Sequence, residues 1–187
     1  MANWNICYNW MMDNEDASRS YECFPDAPGK WLINSQGDQV WDGAYAISGI
    51  NSVSYPAQFN TIKGLLRKKR GPAIEQFYKV YFWNYWLNQI NSDEVTKRVF
   101  DAEVNMGQSV GVKLLQAACN VITTSSEIPL AVDGVLGPLS IARVNQLNSI
   151  ELVTTFKAKR VKYYEDIIAA HPSDEKYKAG WLARANK

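Results

Sequence analysis

The chain has 187 residues, 47% of them apolar and 21% charged, with a formal net charge of +1. That size supports one good core, or one main domain with a small appendage. The near-zero charge argues against a nucleic-acid binder, which carries a pronounced basic excess. No run approaches the ~20 apolar residues that a membrane-spanning helix needs.

Met1-Ala2-Asn3-Trp4 lacks the basic start of a signal peptide. The expectation is synthesis in the cytoplasm, with another agent carrying the protein to any target beyond the membrane. Residues 3–14 predict a helix, with Trp4, Cys7, Tyr8 and Met11 at helical spacing. Glu15 closes it, at the end where the helix dipole disfavours a carboxylate's charged form. Residues 15–53 show no sustained helical period and hold Pro25, Pro28, Gly29, Gly37, Gly43 and Gly49. A loop this long in a compact domain is usually functional. Within it, residues 30–33 and 39–41 can pair as a hairpin across a turn at 34–38.

Tyr55-Pro56 opens a predicted helix to about residue 69, which Gly71-Pro72 stops. The spacing of Ile74, Phe77, Tyr78, Tyr81, Phe82, Tyr85 and Trp86 predicts the next helix over 72–87, with a broad aromatic face. Ser92 caps a helix whose first turn is Asp93-Glu94, and Gly107 ends it. A helix over 109–123 buries Val112, Leu115, Ala118 and Cys119. Residues 131–138 read as turn, strand and turn, opening a helix over 138–147. The longest helix spans 150–170, with Leu152, Phe156, Ala158, Val161, Tyr164 and Ile168 inward. A short one covers 173–185. The fold class is therefore mainly α, with seven or eight helices and a small β-hairpin insertion.

The cysteines, Cys7, Cys23 and Cys119, are far apart and form no Cys-x-x-Cys pair. They read as buried thiols, with Cys7–Cys23 the one disulfide worth considering, and no metal site is expected. His171, the sole histidine, precedes Pro172 in a polar stretch and reads as solvated. Nucleophile–histidine chemistry is thereby disfavoured. Carboxylates, tyrosines and lysines remain, and two carboxylates suffice to cleave a glycoside. The basic run Arg67-Lys68-Lys69-Arg70 reads as a solvated helix end.

Several motifs occur in an order that resembles family 108 of the glycoside hydrolases, the phage-type N-acetylmuramidases. They are the helix ending at Glu15, the Asp26 loop, Gly43-Ala44-Tyr45-Ala46-Ile47-Ser48-Gly49-Ile50-Asn51, Phe82-Trp83-Asn84, Phe100-Asp101 with Asn105 and Gly107, and Asp133-Gly134-Val135-Leu136-Gly137-Pro138. Asp16-Ala17 stand where that family has two glycines after the acid. Ala44 and Ala46 replace its second Gly and its Thr.

The resemblance implies a lysozyme-like catalytic region over 1–107. A helical peptidoglycan-binding-like region over 108–187 would pack on it, or the two would form one compact domain. It implies hydrolysis of the β-1,4 bond between N-acetylmuramic acid and N-acetylglucosamine in the peptidoglycan glycan strand, with no cofactor. Glu15 would be the general acid and Asp26 the second carboxylate, with Asp16 and Asp42 as competitors. Arg19, Tyr21, Trp31, Trp41, Ser48, Asn51, Asp101 and Asn105 would bind substrate or brace the site. The protein would act in the periplasm or cell wall, delivered by a holin or a phage tail. The alternative is a non-catalytic wall-binding or phage structural protein that keeps the fold.

Overall fold

The computed structural model describes residues 1–26, 29–34, 36–124 and 127–187. Pro28 and Ser35, expected in the loop and its turn, lie outside them. The chain is mainly helical, with small antiparallel sheets inserted. Two compact units form: Met1–Met11 with Phe82–Lys187, and Met12–Tyr81. The expected boundary at Gly107 therefore falls inside the first unit. There helices on either side of that glycine bury their apolar faces on each other.

Helix α1, Trp4–Glu15, begins in the first unit and ends in the second. Cys7, Met11 and Met12 on it are fully buried. The second unit continues with β1 (Cys23–Pro25), β2 (Trp31–Ile33), β3 (Gln39–Trp41), β4 (Tyr45–Ile47) and β5 (Ile50–Asn51). The expected hairpin is β2–β3, in the register Trp31↔Trp41 and Ile33↔Gln39. The Asn34 side chain shapes its turn by accepting from the Gln36 and Asp38 amides.

The loop also holds a sheet that the periodicity does not predict. β1, β4 and β5 form three antiparallel strands, pairing Cys23 with Ile47 and Ile47 with Ile50. Strands of two or three residues are too short to show an alternating pattern. Ser48 and Gly49 make the two-residue turn between β4 and β5, with φ of 46° and 82°. Positive φ at both positions matches the right-handed twist of a hairpin.

Helix α2 (Pro56–Gly64) starts on a proline, as expected, but stops five residues short of the predicted end. A 3₁₀ turn at Arg67–Lys69 leads into α3 (Arg70–Tyr81), so Gly71-Pro72 lie in the first turn of a helix and do not terminate one. Proline is tolerated there because a first-turn amide has no intrahelical acceptor. The aromatic helix expected over 72–87 is two helices. α3 ends at Tyr81, and Asn84 caps α4 (Tyr85–Asn88) by accepting from the Trp86 and Leu87 amides.

In the first unit α5 (Asp93–Met106) has Ser92 as its N-cap and Gly107, at φ 90°, at its end, as the sequence predicts. α6 (Gln108–Ile122) packs on it closely. A Cβ on Gly111 would lie 2.9 Å from the Glu103 backbone nitrogen. The segment expected as a strand before α7 (Pro138–Gln146) forms no sheet. Gly134, at φ 81°, instead donates its amide to Gln116 of α6.

α8 (Ser149–Ala170) buries Leu152, Phe156, Tyr164 and Ile168 as expected. Ala158 is exposed, and Arg160 takes the interior with no exposure at all. The last predicted helix is a 3₁₀ stretch, Pro172–Tyr177, followed by α9 (Lys178–Ala185). Trp4 stacks on Tyr8 and meets Trp83 and Phe100 edge-on, so Trp83 belongs to this core. All three cysteines are free, and burial pushes the Cys7 and Cys119 thiols up to about 12. No helix among the described residues is long and apolar enough to cross a membrane.

His171 is exposed at the end of α8, where its backbone amide caps Ile167. The substitution His171→Ala is expected to leave any enzymatic turnover and its pH profile unchanged. A profile that loses one limb in this variant would give the imidazole a role.

Candidate active site

Eight of the ten expected site residues lie in the unit Met12–Tyr81, on the loop between α1 and α2 or at its edge. Glu15 is the last residue of α1, and its side chain reaches the Ser48-Gly49 turn. A Cβ on Gly49 would stand 2.5 Å from Glu15 Oε2 and 2.6 Å from the Tyr78 hydroxyl oxygen. Both oxygens crowd a point that only glycine leaves vacant. The Tyr78 hydroxyl donates to the Ser48 carbonyl at 2.7 Å, fixing the turn from the α3 side.

Asp16, which the sequence offers as a competing catalytic carboxylate, braces the loop. Its oxygens accept from the Ser48 hydroxyl at 2.8 Å, the Ser18 hydroxyl at 2.9 Å, and the Ser20 and Tyr21 amides at 3.1 and 3.0 Å. Desolvation works to raise its pKa, but these donors outweigh it and hold the carboxyl below its ordinary value. A carboxylate so fully engaged is a poor proton carrier and a firm anchor.

Arg19, Tyr21 and Ser48 all adopt left-handed backbone, at φ 51°, 53° and 46°. Such conformations cost side-chain-bearing residues about 1–2 kcal/mol each and persist where their surroundings enforce them. Here the enforcement centres on Asp16. Two of the three donate directly to its carboxylate, and the Arg19 amide and guanidinium donate to its carbonyl.

The remaining residues are placed as follows. Arg19 also pairs with Asp13 at 2.8 Å. Tyr21 presents its carbonyl to Arg70 and its ring to Gly71. Asp26 hangs from the sheet through its amide, which donates to the Ala44 carbonyl. Its Oδ2 accepts from the Asn51 side-chain Nδ2 at 2.6 Å. Asn51 is thereby aligned with the second candidate carboxylate. Asp42 ties the base of the β2–β3 hairpin by accepting from the Lys30 amide at 2.6 Å.

Trp31 and Trp41 face each other across the hairpin, edge to face, with ring centroids 5.5 Å apart. Trp41 lies over Gly29 and donates its indole N–H to the Ala44 carbonyl. Trp31 is 56% exposed.

Asp101 and Asn105 belong to the other unit. Asp101 is completely buried and holds two guanidiniums at 2.8 Å, those of Arg160 on α8 and Arg184 on α9. Without solvent access, it joins three helices. Asn105 is exposed and accepts from the Tyr164 hydroxyl. Asp101 thus reaches α8 and α9, and Asn105 reaches α8. Among the described residues no group of three His, Cys, Asp or Glu is placed to hold a metal ion.

Sequence reasoning missed Tyr78, which sits in an aromatic helical stripe that reads as core, and it missed the anchoring role of Asp16.

The site is thus a carboxylate seated on a glycine turn, in a small antiparallel insertion of a mainly helical protein. Residues 110–186 match the model of a family described as Predicted Peptidoglycan domain. The fold is similar to that in the structure of Brucella abortus SagA. The TM-score is 0.63 over 98% of this chain and 89% of that chain, at 16% identity. At that identity the likeness is one of fold. No curated protein matches the chain.

Proposed function

We propose that this chain is a peptidoglycan hydrolase that cleaves the β-1,4 glycosidic bond after N-acetylmuramic acid. Glu15 serves as general acid, and Asp26, aligned by Asn51, is the second carboxylate. The observation that carries the reading is the seat of Glu15. Its Oε2 lies over Gly49 and beside the Tyr78 hydroxyl, in a loop locked by Asp16. Preorganisation of this kind places a proton donor without reorganisation during reaction. The match of residues 110–186 to the peptidoglycan family supports the wall as the target. The work would be done in the periplasm or wall, with a holin or phage tail as the means of delivery.

A second reading is favoured by one observation: the family match stops short of Glu15 and covers mostly helices of the other unit. A wall-binding protein without catalysis would fit that. A zymogram on purified peptidoglycan separates the two. A cleared band from the wild type, absent from Glu15→Gln, establishes hydrolysis. No clearing from a folded wild type leaves binding as the function.

The two hairpin tryptophans give a further prediction. Trp31 offers an open ring face, whereas Trp41 is packed on Gly29. Trp31→Ala should weaken binding to glycan fragments by about 1–3 kcal/mol, the scale for losing an aromatic stacking platform, with little change in melting temperature. Trp41→Ala should lower the melting temperature, because it removes the indole from Gly29 and Ala44. Unchanged fragment affinity in Trp31→Ala would remove the hairpin from the site.

A further inference from the structure

In the unit holding α5 to α9, a groove of about 470 Å³ lies between α6, α7 and the segment 128–137. Its walls are aliphatic: Ile128, Leu130, Val135, Pro138, Leu139 and Ala142. Among the described residues no aromatic ring lines it. Ile128 and Leu139 are 86% and 79% exposed, a large aliphatic area left in water. Two opposite charges line the same groove, Asp133 and Arg143. The Arg143 guanidinium is oriented by the Thr123 hydroxyl and the Ile128 carbonyl, with the part-exposed Glu127 carboxylate 3.8 Å away, which a ligand carboxylate would have to displace or share. The Asp133 carboxylate is oriented by the Val135 amide and the Gln116 side chain, at 2.9 and 2.8 Å.

We infer that this groove binds the peptide stem of peptidoglycan rather than its glycan. The inference rests on the reading of the wall as target and adds to it a second site with its own ligand chemistry. A glycan strand presents hydroxyls and C–H faces, which proteins meet with aromatic platforms. This groove has none, while Trp31 of the other unit does present one.

A stem peptide presents what the groove complements. Its alanine side chains are small and aliphatic, its free carboxylates suit a guanidinium, and the amine of its diamino acid suits a carboxylate. The oriented Arg143 and Asp133 would fix the direction of a short zwitterionic peptide, and the aliphatic walls would cover its methyl groups. The whole groove lies within the stretch matched by the peptidoglycan family.

The test uses the full chain, isotope-labelled for amide NMR. It is titrated separately with a synthetic stem tetrapeptide (L-Ala, D-Glu, a diamino acid, D-Ala) and with peptide-free glycan oligosaccharide. The tetrapeptide is expected to shift the amides of 128–143, and the oligosaccharide is expected not to. Leu139→Asp, which puts charge on the aliphatic wall, and Ala142→Trp, which fills the groove, should each weaken the peptide Kd about tenfold or more. Melting temperatures should hold, because both positions are exposed.

Shifts confined to other segments would overturn the assignment. So would displacement of the peptide by the oligosaccharide, or wild-type peptide affinity in both variants. Hydrolysis of peptide-free glycan by a protein that ignores the tetrapeptide would sink the groove and leave the hydrolase reading intact. A protein that neither cleaves wall nor binds either probe would take down both.

Discussion

Glu15→Gln is expected to lower wall-degrading activity by at least about 10²-fold, the lower end for loss of general acid catalysis. The substitution keeps the shape of the side chain and removes the proton. Stability should hold, because Glu15 is half-exposed at a helix end and contributes no apolar surface to the core. A companion variant tests the seat rather than the proton. In Gly49→Ala the new Cβ would meet Glu15 Oε2 at 2.5 Å and also strain a backbone at φ 82°. The carboxylate must move, so activity should fall with Glu15 still present. Turbidity loss of purified peptidoglycan, followed beside thermal unfolding, reads both. Wild-type turnover in a folded Glu15→Gln protein would remove the assignment. Wild-type turnover in Gly49→Ala would show that the seat does not matter.

How much of this was legible in the sequence depends on the distance over which each feature is decided. Caps are local, so Ser92 and Gly107 bounded α5 on sight. The β2–β3 hairpin was legible because two β-rich runs flank a turn rich in Asn, Gly and Asp. The break before α4 was hidden because the aromatic spacing runs straight through Asn84. Only that residue's bonds to the amides of Trp86 and Leu87 reveal it.

Long-range partners were invisible for a different reason. Arg160 reads as a surface residue on α8 until Asp101, 59 positions away, is found against it. Asp16 reads as a catalytic candidate until Ser48, 32 positions away, is found donating to it. Side chains that change role through such contacts carry no periodic signal. The candidate site shows both cases. Glu15 and the glycine turn were named in advance chiefly by the family resemblance, with the helix-end position of Glu15 as the one local cue. What holds them, Asp16 and Tyr78, emerges only when the loop is closed.

A buried acid in the other unit provides the second large effect. Glu103 on α5 has no exposure, and neither carboxyl oxygen has a hydrogen-bond partner among the described residues. It faces Gly111 on α6, where a Cβ would lie 3.1 Å from its Cγ. Burial pushes its pKa from 4.5 up to about 8. The folded state therefore keeps a proton that the unfolded chain gives up. The neutral acid's contribution to stability is fully present below about 4.5, declines as pH rises, and is gone above about 8. The slope is about 1.4 kcal/mol per pH unit at most, so the cost at pH 7 is on the order of 3 kcal/mol.

Glu103→Met replaces the carboxyl with an unbranched apolar group of similar size and removes this cost. The variant should already be the more stable protein near pH 4, where the neutral carboxyl is still buried without partners, and its advantage should widen by about 3 kcal/mol between pH 4 and pH 7. In a chain this long that corresponds to a rise of roughly 6–12 °C in melting temperature. Other groups titrate over the same range, so the difference between variant and wild type, measured by urea unfolding at several pH values, isolates Glu103. Glu103→Gln should gain less, since it still buries polar atoms without partners. A difference that stays flat from pH 4 to 8, or a loss of stability in Glu103→Met at pH 8, would show that the α5–α6 interface accepts the charged form.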